Sequence, residues 1–369
     1  MKYYIIAGEA SGDLHGSNLI KQIHELDKQA DVRCWGGDLM QSAGAILVKH
    51  YRDLAFMGFV EVVMNLPTIL KNLAFCKQDI LAYKPDVVVF VDYPGFNIKI
   101  GEWAKKQDIK TVYYISPQVW AWKESRVKTI KECVDKMLVI LPFEKDYYKK
   151  WDYKVEYVGH PLIEVIERFK ASSEHKPLTT GKKIIALLPG SRKQEISKKL
   201  PIMLQVSKAF PEYQFIVARA PGQEDSFYAP FLAPYTNVSA VSNQTYNLLN
   251  QSSAALVTSG TATLETALFG VPEVVCYKAN PISYAIAKQV IKIKYISLVN
   301  LIMDKPVVKE LIQHDLTPEN CEKELKDLLE NDERKAQLEK DYNDLHNLLM
   351  QGGHASANAA KIIVDFAQA

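Results

Sequence analysis

Five short segments carry a carboxylate, an arginine, a glycine–hydroxyl turn or a pair of tryptophans, each directly after an apolar run. The first is Gly8-Glu9-Ala10-Ser11-Gly12-Asp13. Its two glycines allow a tight turn and close ligand approach, and a helix beginning there offers unpaired N–H groups to an anion. Gly8 and Ser11 are therefore candidate substrate contacts and Glu9 a candidate catalytic carboxylate. The spacing is not that of a dinucleotide fingerprint, and no Lys-Ser/Thr follows as in a Walker loop. A plain strand-to-helix turn with Ser11 or Asp13 as N-cap accounts for the same residues.

The second segment is Asp92-Tyr93-Pro94-Gly95-Phe96-Asn97, after Val87–Val91. A carboxylate at the end of a buried strand can act as a general base on a hydroxyl nucleophile. Equally, Asp92 can open a turn ahead of Pro94-Gly95, with Asn97 capping the next helix. The third, Ser116-Pro117-Gln118-Val119-Trp120-Ala121-Trp122-Lys123, puts two tryptophans in one strand-end loop. Trp120 offers a broad face and one N–H donor to a sugar or an apolar chain, and packing beneath the loop is the alternative.

The fourth is Leu187-Leu188-Pro189-Gly190-Ser191-Arg192, ahead of a helix beginning near Lys193. Gly190 permits close backbone approach, Ser191 adds a hydroxyl, and Arg192 presents a planar fork for phosphate oxygens. The fifth is Thr258-Ser259-Gly260-Thr261-Ala262-Thr263-Leu264-Glu265. Ser259, Gly260 and Thr261 suit a diphosphate at a helix N-terminus, and Glu265, one turn on, suits ribose hydroxyls. A Ser/Thr cap with an acidic first turn is the alternative. His15 and His160 read as a cleft-lining group and a boundary residue.

These segments need a scaffold that brings strand ends together. Strands are expected at Tyr3–Ala7, Val32–Trp35, Val87–Val91, Thr111–Ile115, Lys136–Ile140 and Lys154–Val158. Helices are expected near Asp13–Leu26, Val60–Tyr83, Ile98–Gln107 and Glu124–Glu132. The plan repeats with strands at Lys183–Leu188, Gln214–Ala218, Val238–Ala240, Ala254–Thr258 and Glu273–Tyr277. Val87–Val91 is apolar throughout, the pattern of a strand covered on both faces. Strand–helix alternation predicts an α/β chain of two doubly wound, Rossmann-like domains facing a central cleft, with ligands beyond the carboxyl ends of the strands. The expected divisions are a first domain over 1–165 and a second over 166–340. Over 341–369 are C-terminal helices that return to the first domain.

The chain's 369 residues exceed one ordinary core. Lys and Arg total 45 against 43 for Asp and Glu, which argues against a general nucleic-acid binder. The five cysteines form no CxxC pair and no zinc spacing, so reduced core thiols and no metal are expected. The chain opens on a strand pattern without a charged leader, so no signal peptide is expected. No apolar run reaches the roughly 18 residues of a membrane span. The apolar segment Phe56–Leu66, continued by Ile69, Leu70, Leu73 and Phe75, is either a buried helix or a surface that lies in a membrane interface. The basic stretch Lys288–Lys294 would add a second contact.

In combination and order, the five segments and Ser297-Leu298-Val299-Asn300-Leu301 resemble the lipid-A-disaccharide synthases over nearly the whole chain. The resemblance implies a GT-B-type fold with the acceptor and its lipid chains on the first domain and the nucleotide of the UDP-sugar held mainly by the second, and adds Asn300 to that site. It implies transfer of 2,3-diacylglucosamine from its UDP conjugate to the 6-hydroxyl of 2,3-diacylglucosamine 1-phosphate, with inversion. Asp92 and Glu9 would then be catalytic carboxylates, and Arg192 would stabilise the departing UDP without metal or cofactor. Cytoplasmic location with peripheral attachment to the inner membrane follows from the acylated substrates. Gly95 departs from members that carry a second acidic residue there. Alternatives are another UDP-GlcNAc-using GT-B enzyme (the peptidoglycan glycosyltransferase or the 2-epimerase), a nicotinamide-dependent oxidoreductase, or a nucleotide-sugar binding module.

Overall fold

The computed structural model describes residues 1–53, 66–122, 124–172, 175–178, 181–291 and 293–369, with backbone alone for 122, 282, 283, 286, 287 and 290. The apolar segment expected at Phe56–Leu66 falls outside this description except for Leu66, as do Lys123 and Lys292. Two compact units emerge. One comprises Met1–Pro161 with Leu349–Ala369, the other Leu162–Leu348. The first crossing thus lies at 161/162 rather than 165/166, because helix Pro161–Ala171 is almost wholly part of the second unit.

The first unit holds a seven-stranded sheet in the order β3-β2-β1-β4-β5-β6-β7. Its strands are β1 Lys2–Ala7, β2 Asp31–Gly36, β3 Ile46–His50, β4 Val87–Val91, β5 Thr111–Tyr114, β6 Lys136–Val139 and β7 Glu156–Tyr157. Every pairing is parallel. Each residue of β4 is inaccessible to solvent, as a sheet covered on both faces requires. One covering layer includes helices Ala10–Leu26 and Ala355–Gln368, which pack on each other. The last helix sends Ala355, Ala359, Ala360 and Ile363 into the core, a helical stripe of small and branched residues. Lys110 Nζ donates to the carbonyls of Phe366 and Ala367 at 3.1 and 3.3 Å, placing a cation at that helix's negative end. The opposite layer packs Trp35, Cys76, Ile80 and Ile130 against Tyr4, Ile6 and Phe90.

The second unit holds a six-stranded sheet in the order β10-β9-β8-β11-β12-β13. Its strands are β8 Ile184–Leu188, β9 Gln214–Arg219, β10 Val238–Ser242, β11 Ser252–Thr258, β12 Glu273–Tyr277 and β13 Lys309–Ile312, again all parallel. β3 and β13, which the sequence pattern leaves unassigned, are short edge strands mixing charged and apolar residues. All five cysteines are buried thiols. The strand order reverses between β1 and β4 in one unit and between β8 and β11 in the other, the switch points at which loops diverge and leave a crevice. Four of the five chemical segments leave the sheets there.

Candidate active site

In the first unit Ala7 pairs with Val91, so the loops beginning at Gly8 and Asp92 emerge side by side. Asp92 and Tyr93 take φ values of +47° and +52°, and Ile115, after neighbouring β5, takes +67°. Left-handed backbone costs about 1–3 kcal/mol at a non-glycine residue and persists only where surroundings enforce it. The enforcing contacts are specific. The Asp92 N–H donates to the Tyr114 carbonyl at 3.2 Å. The Asp92 carbonyl accepts the Tyr113 hydroxyl at 2.6 Å and the Asn97 amide at 2.7 Å. The Tyr93 ring lies over Gly8 so closely that a Cβ there would meet it at 2.3 Å. The Tyr93 ring by itself thus requires glycine at position 8.

The clamped main chain leaves the half-buried Asp92 carboxylate fixed in direction. Burial pushes its pKa up to about 6, and the charge of Glu9 adds to the rise. It is ionised near neutrality yet more basic than an ordinary carboxylate, the requirement for taking a proton from a hydroxyl. Glu9 is the N-cap of helix Ala10–Leu26, in extended conformation and half-buried, and Ser11 is exposed on the first turn. Asp13 does not cap its own helix. It is buried and accepts the N–H groups of Gly37, Leu39 and Met40 at 2.7, 3.2 and 3.0 Å, holding the start of helix Asp38–Ser42.

Two residues expected to contact substrate also serve the fold. Asn97 is wholly buried, and its amide nitrogen is divided between the carbonyls of Asp92 and Ile6, the latter at 3.3 Å. A helix residue one turn after a strained strand end can satisfy main-chain acceptors directly, and Asn97 does so. Trp120 is buried, its indole donating to Glu144 at 3.2 Å and meeting the Phe143 ring edge-on at 5.0 Å. Glu144 also accepts the Leu141 N–H at 3.0 Å, and burial pushes its pKa up to about 7. His15 and His160 are held neutral, burial lowering them to about 4 and about 3, with His15 adding to the effect on His160.

In the second unit β8 and β11 are neighbours, Leu188 pairing with Val257. Gly190 takes φ +113°, Ser191 is exposed, and Arg192 is the N-cap of helix Lys193–Val206. The Arg192 side chain is largely exposed and lies 3.6 Å from the Glu195 carboxylate. Gly260, the N-cap of helix Thr261–Leu268, takes φ +146°, and a Cβ there would meet nothing within 4 Å. Gly260 and Thr261 therefore present an open helix N-terminus, while the Ser259 hydroxyl is turned to the Ile296 carbonyl at 2.7 Å. Glu265 accepts the Tyr246 hydroxyl at 2.9 Å, and burial raises its pKa.

Asn300, expected at the nucleotide, is buried with its amide spent inside the unit. It donates to the Val308 carbonyl at 2.9 Å and to Glu310 at 3.0 Å, and accepts the Val308 N–H at 2.9 Å. It ties helix Leu298–Met303 to the entry of β13. Three site-adjacent residues escaped the sequence reading: Lys199, Tyr246 and Glu144. Lys199 is buried with its ammonium on the Thr258 hydroxyl. The trace of it in the sequence is the Glu195–Lys199 spacing of four, which alone describes a solvated helix pair.

The family model described as lipid-A-disaccharide synthetase matches residues 3–364. The lipid-A-disaccharide synthase of Trichlorobacter lovleyi is 37% identical over 334 residues, covering 88% of this chain and 87% of that one. That of Coxiella burnetii is 37% identical over 367 residues, covering 97% and 96%. Among solved structures, a UDP-GlcNAc 2-epimerase from Neisseria meningitidis bound to UDP-GlcNAc superposes with a TM-score of 0.68 at 15% identity, over 99% of both chains. The kitacinnamycin glycotransferase gives 0.64 at 14%, over 99% and 98%. At such identities the two structures speak for the fold.

Proposed function

The chain belongs to the lipid-A-disaccharide synthase family and is a glycosyltransferase of lipid A synthesis, and from that premise we propose the substrates and the roles of its residues. The donor is UDP-2,3-diacylglucosamine and the acceptor 2,3-diacylglucosamine 1-phosphate. The Asp92 carboxylate takes the proton of the acceptor 6-hydroxyl as that oxygen bonds to the anomeric carbon. The bond from that carbon to the UDP oxygen breaks, its electron pair leaving with UDP, and the configuration inverts. Gly190, Ser191 and Arg192 with Gly260 and Thr261 receive the diphosphate, and Glu265 the ribose. Arg192 and the helix N-terminus at Gly260 offset the charge that develops on the leaving group.

The observation that carries this reading is Asp92 itself. A carboxylate at a switch point, on strained backbone held by Tyr113 and Asn97 and with its pKa pushed up to about 6, is built to accept a proton. The acylated substrates require access from a membrane surface. Leu66, Leu70, Phe75 and Leu81 are exposed on helix Leu66–Tyr83, with Lys71 exposed beside them. Among the described residues no helix is long and apolar enough to cross a membrane. We assign this helix to contact with the inner-membrane surface.

The test is product analysis with purified protein. UDP-2,3-diacylglucosamine and the monosaccharide 1-phosphate should yield disaccharide 1-phosphate and UDP, while UDP-GlcNAc should be neither transferred nor epimerised. Epimerisation of UDP-GlcNAc without disaccharide formation would contradict the assignment.

A further inference from the structure

Lys199 lies on the second turn of helix Lys193–Val206 and is 3% exposed. Its ammonium donates to the Thr258 hydroxyl, the last residue of β11. The Glu195 carboxylate stands 3.9 Å from it, beyond hydrogen-bond reach, and is also within 3.6 Å of the Arg192 guanidinium. A Cβ built on Gly190 would fall 2.8 Å from the Glu195 carboxylate, 3.4 Å from the Thr258 methyl and 3.5 Å from the Lys199 ammonium. The Glu195 carboxylate and, just beyond it, the Lys199 ammonium therefore sit behind the Gly190 turn, the ammonium joined to the strand that leads into Ser259-Gly260-Thr261.

A buried ammonium is costly unless its charge is compensated, and burial pulls the Lys199 pKa down accordingly. One hydroxyl and one shared carboxylate are thin compensation for three donors and a full charge. A hydrophobic side chain would fill the same space more cheaply. What the ammonium supplies and a methyl cannot is positive charge behind two anion-compatible loops, in surroundings where screening by water is weak.

We propose that Lys199 is a positioning residue for the diphosphate of the nucleotide. It offsets the Glu195 carboxylate that stands behind the Gly190 turn and so keeps that turn receptive to an anion, and through Thr258 it fixes the start of the Gly260 loop. This rests on the reading of the second unit as the UDP site.

The experiment measures affinities for UDP and for uridine by calorimetry in wild type, Lys199→Met and Lys199→Gln. Gln keeps an N–H donor for Thr258 and removes the charge, whereas Met removes both at similar volume. Both variants are expected to bind UDP about tenfold more weakly, the scale of one charge-assisted contact, with uridine affinity within about twofold of wild type. Retained UDP affinity in Lys199→Gln would overturn the role of the charge. Equal weakening of UDP and uridine in whichever variant folds would reduce Lys199 to a packing residue and overturn the proposal. Wild type that binds uridine as tightly as UDP would overturn the diphosphate site itself. A wild-type preference for UDP that survives both substitutions overturns only the role of Lys199.

Discussion

Asn97 donates its amide to the main-chain carbonyl of Asp92 at 2.7 Å, and the same nitrogen reaches the carbonyl of Ile6 at 3.3 Å. One side chain thus joins the ends of β1 and β4 and holds Asp92 in left-handed backbone. Asn97→Ala removes both bonds from a buried site and is expected to cost about 1–3 kcal/mol of stability. Turnover should fall at least about tenfold as the carboxylate loses its direction, with UDP affinity unchanged. Thermal melts, turnover and calorimetry on this variant check the split. Unchanged turnover with a lowered melting temperature would leave Asn97 a purely structural residue.

Asp92 also predicts a pH signature. Its folded pKa is about 6, raised from the 3.8 of a free aspartate, so the folded state prefers the protonated carboxyl. The stabilisation from protonation is fully present below about pH 3.8 and is lost as pH rises through 6. Asp92→Asn should therefore melt higher than wild type at pH 8, by about 1–2 kcal/mol, with the difference shrinking toward pH 4. A lower melting temperature for the variant at pH 8 would contradict the assignment of its environment.

Arg192 tests the nucleotide site from its exposed edge. Arg192→Ala should weaken UDP binding about tenfold or more, the loss of a charged phosphate contact. Lys335→Ala, remote in sequence and paired with Asp332 on another helix, serves as the control and should bind normally. Equal UDP affinities in the two variants would remove Arg192 from the site.

Much of this was legible because strand ends and glycine turns leave plain marks in sequence. The strand Val87–Val91 has the bounds its apolar run announces, and Asp92 is the next residue. The Gly190 and Gly260 loops lead into helices at Lys193 and Thr261 as their residue types require. What the sequence left hidden shares one cause. Asn97, Trp120 and Asn300 are polar or aromatic residues near strand ends, where main-chain and buried acceptors compete with any ligand for their donors. Sequence shows the donor but not which acceptor it meets. Lys199 was missed for the converse reason: a lysine four residues after a glutamate has the pattern of a solvated pair, and only the fold turns it inward beneath Gly190. The edge strands Ile46–His50 and Lys309–Ile312 lack a clean apolar run because an edge needs only one covered side.

Membrane contact is tested at residues whose exposure is known. Leu66→Ser combined with Leu70→Ser removes two large apolar groups from the exposed face of helix Leu66–Tyr83. Sedimentation with anionic phospholipid vesicles should weaken about tenfold, a modest share of the transfer energy of two leucines. The thermal melt should be unchanged, since neither side chain is in the core. Undiminished sedimentation would remove this helix from the membrane surface.

The central claim is that Asp92 takes the proton from the acceptor hydroxyl. The most direct measurement is the rate of disaccharide 1-phosphate formation by Asp92→Asn, at saturating donor and acceptor, beside its UDP affinity. Asparagine keeps the shape and the main-chain contacts but cannot accept that proton. The rate should fall by about two to four orders of magnitude, the scale of lost general-base catalysis, while UDP affinity stays within about twofold. A rate near that of wild type would contradict the account.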